Sequence, residues 1–159
     1  MPEATPPPEA TLLSESSVET ERIAETIAAA LGPGDVVLIE GDVGSGKTTF
    51  VRGACRRLGV ADVVSSPSFT IGQRYSGRVP VSHLDLFRLD NPEQEAPGLL
   101  EDYVEDGAIT FVEWPRDGAG ALGVEPHGAT VRVRLTHLGG DRRRVEVMAA
   151  AATIEQLES

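Results

Sequence analysis

With 159 residues, the chain has the length of one domain and enough material to bury a core without disulfides or a structural metal. Its formal charge of −11 at pH 7 argues against tight, independent binding of RNA or DNA, which draws on basic faces; Arg142, Arg143 and Arg144 are the candidates for a local basic patch. One cysteine, Cys55, excludes an internal disulfide and a multi-cysteine zinc site. No apolar run approaches the ~18–20 residues of a membrane-crossing helix, and the N-terminus lacks the basic and apolar regions of a signal peptide, so a reducing cytoplasm and no membrane contact are expected.

Residues 1–13, rich in Pro, Glu, Ala and Thr, read as a disordered tail. A single domain is expected over 14–150, and a tail or short helix over 151–159. Ser16 to Glu19 has the form of a capping box, and Val18, Ile23, Ile27 and Leu31 give an apolar stripe for a first helix. Gly32-Pro33-Gly34 ends it. Val36 to Ile39 is apolar throughout, as in a strand buried on both faces of a parallel sheet. A glycine loop comes next over Gly41 to Gly46, then a helix from Thr48 to about Leu58. Phe69 to Tyr75, Val79 to Leu86 and Ala108 to Val112 are strand candidates, with a partly helical stretch over Pro92 to Val104. Thr130 to Leu135 and Arg144 to Met148 alternate, which predicts a hairpin around Gly139-Gly140. The whole is an α/β pattern, a three-layer sandwich around a mostly parallel sheet with an antiparallel C-terminal hairpin.

The loop carries the chemistry. Gly41-Asp42-Val43-Gly44-Ser45-Gly46-Lys47-Thr48 matches the phosphate-binding pattern G-x-x-x-x-G-K-[ST], with Thr49 next in the helix. Glycines let the backbone curl so that N–H groups point at phosphate oxygens, and the helix adds its positive end. Lys47 is placed to reach the β- and γ-phosphates and the Thr48 hydroxyl to ligate Mg²⁺. The competing explanation, an accidental glycine-rich turn, does not account for an apolar strand before the loop and an amphipathic helix after it. Lys47 is also the sole lysine among 14 Lys and Arg, at the place where a compact ammonium on a flexible stem is wanted.

A carboxylate normally completes the Mg²⁺ shell, and two candidates end apolar strands: Asp85 and Glu113. Which of them meets the metal directly is open at this level. Ser65 to Thr70 lies where a nucleotide-sensing switch would sit, with Ser68 and Thr70 supplying hydroxyls. Trp114, the only tryptophan, is open between stacking on a partner, lining the site and core packing. His83 reads as a structural histidine, and Arg88 and Arg116 as salt-bridging residues.

GDVGSGKTTFVRG, SPSFTI, HLDLFRL and EDYVEDG followed by ITFVEWP come in the order found in the TsaE family, also called YjeE, and the chain resembles that family from about Ser16 to Arg144. The HLDLFRL and VEWP segments at these distances are more specific than the phosphate-loop pattern. The resemblance implies a P-loop ATPase of weak intrinsic activity, with ATP and Mg²⁺ as cofactors. Its role would be in the threonylcarbamoyladenosine modification of tRNA next to the anticodon. It implies TsaD and TsaB as partners, with tRNA met only through that assembly. It also implies catalytic or metal-linked roles for Asp85 and Glu113, a functional aromatic at Trp114, and an adenine site near Ser17 and Gly140. Ser68 stands where the family usually has threonine, and Phe87 where it usually has tyrosine. Two other functions compete: a small-molecule or nucleoside kinase, for which no Arg-rich lid segment is evident, and a scaffold in which the nucleotide only sets binding affinity.

Overall fold

The computed structural model describes residues 9–42, 44–64, 72–86, 107–114 and 131–159, with the backbone alone at 114. Seven strands run β1 (Glu9–Ser14), β2 (Val36–Glu40), β3 (Gly72–Tyr75), β4 (Val81–Asp85), β5 (Ile109–Trp114), β6 (Val131–Gly139) and β7 (Arg142–Met148). Three helices are described: α1 (Ser17–Ala29), α2 (Lys47–Arg57) and α3 (Ala151–Glu158). All strands join one sheet in the order β1-β7-β6-β2-β5-β4-β3. The core of that sheet, β6-β2-β5-β4, is parallel, and the pairings at both margins, β1-β7-β6 and β4-β3, are antiparallel. This is the expected α/β class, with more antiparallel margin than the C-terminal hairpin alone.

Burial decides which strands sit in the middle. All five residues of β2 and all five of β4 are buried, as central parallel strands covered on both faces must be. On one face, Val37, Ile39, Ile109, Phe111, Val133 and Val145 merge into a single apolar cluster with Ile27 of α1 and Phe50, Val51 and Ala54 of α2. On the other, Val36, Leu38, Leu84 and Val112 are buried as well. At the end of β2 that second face turns polar. Glu40 accepts from Arg132 Nη2 at 2.7 Å and Arg134 Nη2 at 3.2 Å, tying β2 to β6.

Helix α1 begins at the predicted cap: Ser16 Oγ accepts from the Glu19 N–H at 3.1 Å. The Glu19 carboxylate reaches past the cap to the N–H of Glu15, at 2.6 Å. The buried face is the one the apolar spacing suggests at Ile27, with Ile23 and Leu31 packed against the core, but not at Val18. Thr20, Ala24, Ile27 and Ala28 face inward while Val18 is 54% exposed. Small residues win there because α2 comes very close: a Cβ on Gly53 would lie 2.6 Å from the Glu21 carbonyl oxygen.

The reading of residues 1–13 as a disordered tail requires a correction from Glu9 onward, while residues 1–8 lie outside the described residues. Glu9–Ser14 is a strand, not part of a disordered tail, with Glu9 opposite Met148 and Ser14 opposite Arg143. Thr11, Leu12 and Leu13 are good strand formers, and β7 offers an otherwise open edge; a pairing partner that far along the chain overrides local composition. Between the two predicted endings for 151–159, the helix is what forms. Strand β5 also runs one turn of the pleat further than its apolar stretch, carrying Glu113 within the sheet. The stretch predicted as helical over Pro92 to Val104 lies outside the described residues. Among the described residues no helix is long and apolar enough to cross a membrane.

Candidate functional site

The site lies beyond the carboxyl ends of β2, β4 and β5, where a parallel sheet gathers its ligands. The register brings the acids there together. Asp85 ends β4 directly opposite Glu113 on β5, and Glu113 in turn stands opposite Ile39 of β2. Both carboxylates lie on the sheet face that α2 covers, because each follows the alternation set by Val81 and Phe111. Both are buried, Asp85 to 7% and Glu113 to 2% exposure.

The glycine loop leaves β2 and enters α2. Gly44 and Gly46 adopt φ of 82° and 100°, the left-handed region that glycine alone enters cheaply. Gly41 is needed for a different reason: a Cβ there would lie 2.3 Å from Ser45 Oγ and 2.9 Å from the Leu135 carbonyl oxygen. The N-cap of α2 is Gly46, which offers no side chain to the first-turn N–H groups; these and the helix dipole make a ready seat for an anion.

Lys47 is folded back into this loop. Its Nζ donates to the Gly41 and Asp42 carbonyls at 2.8 Å each and lies 3.4 Å from Ser45 Oγ. Burial pushes the ammonium down to about 8, against the opposing pull of Glu113, Asp85 and Asp42. Thr48 Oγ1 donates to Glu113 Oε1 at 3.4 Å. The second Glu113 oxygen, Oε2, accepts from Nε2 of the fully buried His83. Facing a carboxylate oxygen, Nε2 is the donor of that bond, and Nδ1 is buried with no hydrogen-bond partner among the described residues. The carboxylate is thereby held with one oxygen toward the sheet and one toward Thr48.

A cleft of about 480 Å³ opens over this arrangement, lined by Ser17, Gly44, Lys47, Thr48, Asp85 and Glu113 among others. Thr49 and Gly46 also line it. A hydroxyl and two carboxylates are hard oxygen donors of the kind Mg²⁺ takes, and Mg²⁺ is commonly held by one or two carboxylates with phosphate and water completing the shell. Among the described residues no three His, Cys, Asp or Glu side chains form a metal cage. The arrangement fits a phosphate-bearing ligand with its metal better than a stand-alone ion site.

The structure thus brings together Ser17, Gly44, Gly46, Lys47, Thr48, Thr49, Asp85 and Glu113 on the cleft, with Gly41, Asp42 and Ser45 shaping the loop behind it. Gly140 sits in the β6–β7 turn at φ 55°; its neighbour Asp141, not Gly140 itself, lines the cleft. Val43, Ser68, Thr70, Arg88 and Arg116 lie outside the described residues, as does the side chain of Trp114. Sequence reasoning passes over three participants. His83 reads as structural, yet it holds Glu113. Asp141 draws no notice, and Arg143 stands out only for charge. Period-two alternation back from Asp85 is enough to put His83 on the same face; nothing local to Arg143 tells that the β6–β7 turn returns to the loop.

Comparison with known proteins gives a consistent result. A family profile described as "Threonylcarbamoyl adenosine biosynthesis protein TsaE" matches residues 14–145. A tRNA threonylcarbamoyladenosine biosynthesis protein TsaE of Bacillus subtilis is 35% identical over 140 residues, covering 87% of this chain and 85% of its own. The protein of the same description from Treponema pallidum is 31% identical over 143 residues, covering 85% and 97%. Among solved structures, Bacillus subtilis YdiB superimposes with a TM-score of 0.71 at 29% identity, over 97% of this chain and 94% of that one. A glycine loop, its lysine and threonine, and two carboxylates meet at the end of a parallel sheet in a chain that matches this profile over most of its length, and the chain belongs to the TsaE family.

Proposed function

We propose that the chain binds ATP with Mg²⁺ in this cleft and hydrolyses it weakly, in support of the threonylcarbamoyladenosine modification of tRNA. The observation that carries the reading is the convergence of Lys47, Thr48, Asp85 and Glu113 on one cleft beside an uncapped helix start. The β-phosphate would sit in the loop against the α2 N–H groups, and Lys47 would leave the Gly41 and Asp42 carbonyls for the phosphate oxygens. Thr48 and Glu113 would hold Mg²⁺, with Asp85 as a further ligand or as the acid that orients the attacking water. The ion's chemistry when bound is charge neutralisation on the β- and γ-phosphates. His83 keeps Glu113 in the orientation that serves this, and Ser17 with the β6–β7 turn would border the adenine.

In this reading the assembly partners are TsaD and TsaB, tRNA is met through them, and the work is done in the cytoplasm. The acidic balance of −11 suits a subunit that leaves the grip on tRNA to others. The test is ATP turnover by the purified chain with and without the cognate TsaD–TsaB pair, beside Lys47→Ala. Slow turnover that rises with the partners and vanishes in the variant supports the proposal. Turnover indifferent to the partners would sink the assembly role, and a screen for a kinase acceptor would then be the next step.

A further inference from the structure

Arg143 is the first residue of β7 beyond the core on the face that α2 covers, since Val145 and Val147 on that face are fully buried. Its guanidinium is spent on backbone carbonyls. Nε donates to Ser45 O at 2.7 Å, and Nη2 to Gly44 O at 3.1 Å. Nη1 donates to Gly140 O and Arg142 O, at 2.8 Å each. The planar fork therefore joins the glycine loop to the β6–β7 turn. The fit is close, for a Cβ on Gly46 would stand 3.3 Å from Arg143 Nε.

The consequence comes from peptide geometry. No cis peptide bond occurs among the described residues, and in a trans peptide the C=O of one residue and the N–H of the next point in opposite directions. Holding the Gly44 carbonyl toward Arg143 turns the Ser45 N–H the other way, where it donates to Asp42 O at 3.0 Å and closes the curl of the loop. Holding the Ser45 carbonyl likewise turns the Gly46 N–H away from the guanidinium. Two cations thus clip the loop from two sides. Lys47 takes the Gly41 and Asp42 carbonyls, and must release them if it is to meet phosphate. Arg143 takes Gly44 and Ser45, which no ligand needs.

We propose that Arg143 is a positioning residue that keeps the glycine loop in its anion-binding shape through both the empty and the occupied states, and that it acts through its fork geometry and not through its charge. The inference rests on the nucleotide-site reading above. It predicts that Arg143→Ala weakens Mg-ADP binding by about tenfold or more, the effect of losing the forked bonds that order the loop, while the melting temperature without nucleotide stays near wild type. Arg143→Lys keeps the charge but loses the two-sided fork, so it should resemble the alanine variant in affinity. In turnover, KM for ATP should rise with kcat at saturation largely kept, because bound phosphate can itself complete the loop.

The experiment is Mg-ADP titration by calorimetry and melting of the empty protein for wild type, Arg143→Ala, Arg143→Lys and Lys47→Ala, with steady-state ATP turnover on the two Arg143 variants. If Lys47→Ala binds as wild type does, the nucleotide-site reading itself is wrong. If Lys47→Ala loses binding but Arg143→Ala does not, the reading stands and the role given to Arg143 is overturned. Affinity retained in Arg143→Lys would show a charge effect and overturn the geometric one. A fall in the empty protein's melting temperature with affinity intact would make Arg143 merely structural, and a collapse of kcat at unchanged KM would make it catalytic; either result overturns the proposal.

Discussion

Lys47 should titrate near pH 8 in the nucleotide-free protein, far from the ordinary 10.5, because burial costs its ammonium more than Glu113, Asp85 and Asp42 return. The consequence for stability has a definite sign. Between about 8 and 10.5 the unfolded chain carries this proton and the folded chain does not, so this group makes stability rise with pH across that window. At ~1.4 kcal/mol per unit of pKa difference, the rise is at most about 3.5 kcal/mol, and solvent screening at the cleft mouth reduces it. Cys55 acts in the opposite direction above pH 9, since burial pushes its thiol from 9.0 up to about 12, so the lysine contribution must be read as wild type minus Lys47→Met. The chain's single lysine makes the direct measurement simple. Protein labelled with ¹³Cε-lysine gives one side-chain resonance, whose titration midpoint is the pKa itself. With Mg-ADP bound, the phosphate charges should move that midpoint upward, since an opposite charge at contact favours the ammonium. A midpoint near 10.5 without nucleotide would refute the argument, because it would place the side chain in water and not against the Gly41 and Asp42 carbonyls.

Glu113→Gln and Asp85→Asn are expected to retain Mg-ADP binding within about tenfold while ATP turnover falls a hundredfold or more, as groups aimed at metal and water do; a single-turnover assay separates the two, and undiminished turnover in both would remove the carboxylates from the chemistry. Gly53→Ala should destabilise the fold by about 1–3 kcal/mol in urea unfolding, since the new methyl meets Glu21 backbone atoms at 2.6 and 2.7 Å; an unchanged midpoint would mean α1 and α2 leave room for a methyl between them. Ser16→Ala should cost about 1 kcal/mol by loss of the bond to the Glu19 N–H, measured in the same way. Cys55, 1% exposed with its thiol pushed up to about 12, should react with a thiol reagent at pH 8 only at the rate of unfolding; fast modification of the native protein would contradict its burial.

The centre of the fold is legible because its signals are local. Val36 to Ile39 announces a strand covered on both sides, and the glycine loop with Lys47 and Thr48 announces the helix after it. Asp85 and Glu113 can be named from their places at strand ends, but that they stand opposite one another depends on register, which no single strand encodes. The features that escape depend on distant pairing. Glu9–Ser14 has the composition of a tail and becomes a strand because β7 offers it an edge. Arg143 carries no mark of its role until the turn at Gly139 and Gly140 brings it back to the loop. The face of α1 is legible at Ile23, Ile27 and Leu31, whereas Val18 at its start turns to solvent and the close approach of Gly53 rewards the small side chains at Thr20, Ala24 and Ala28.

The pairing of β1 with β7 has a consequence for how the molecule comes into being. Glu9 meets Met148 and Ser14 meets Arg143, so an early segment of the chain completes its sheet only after a segment well over a hundred residues later has left the ribosome. Helix α1 follows β1 at once, and its first residue, Ser17, lines the cleft together with Asp141 and Arg143, beside which the β1–β7 pairing and the Glu15–Arg142 ion pair hold it. The ligand site is therefore finished late in synthesis, when β6 and β7 fold back. A chain released before β7 would hold the complete phosphate-loop motif and still lack a wall of its pocket, so it should bind nucleotide poorly despite carrying every residue of the motif.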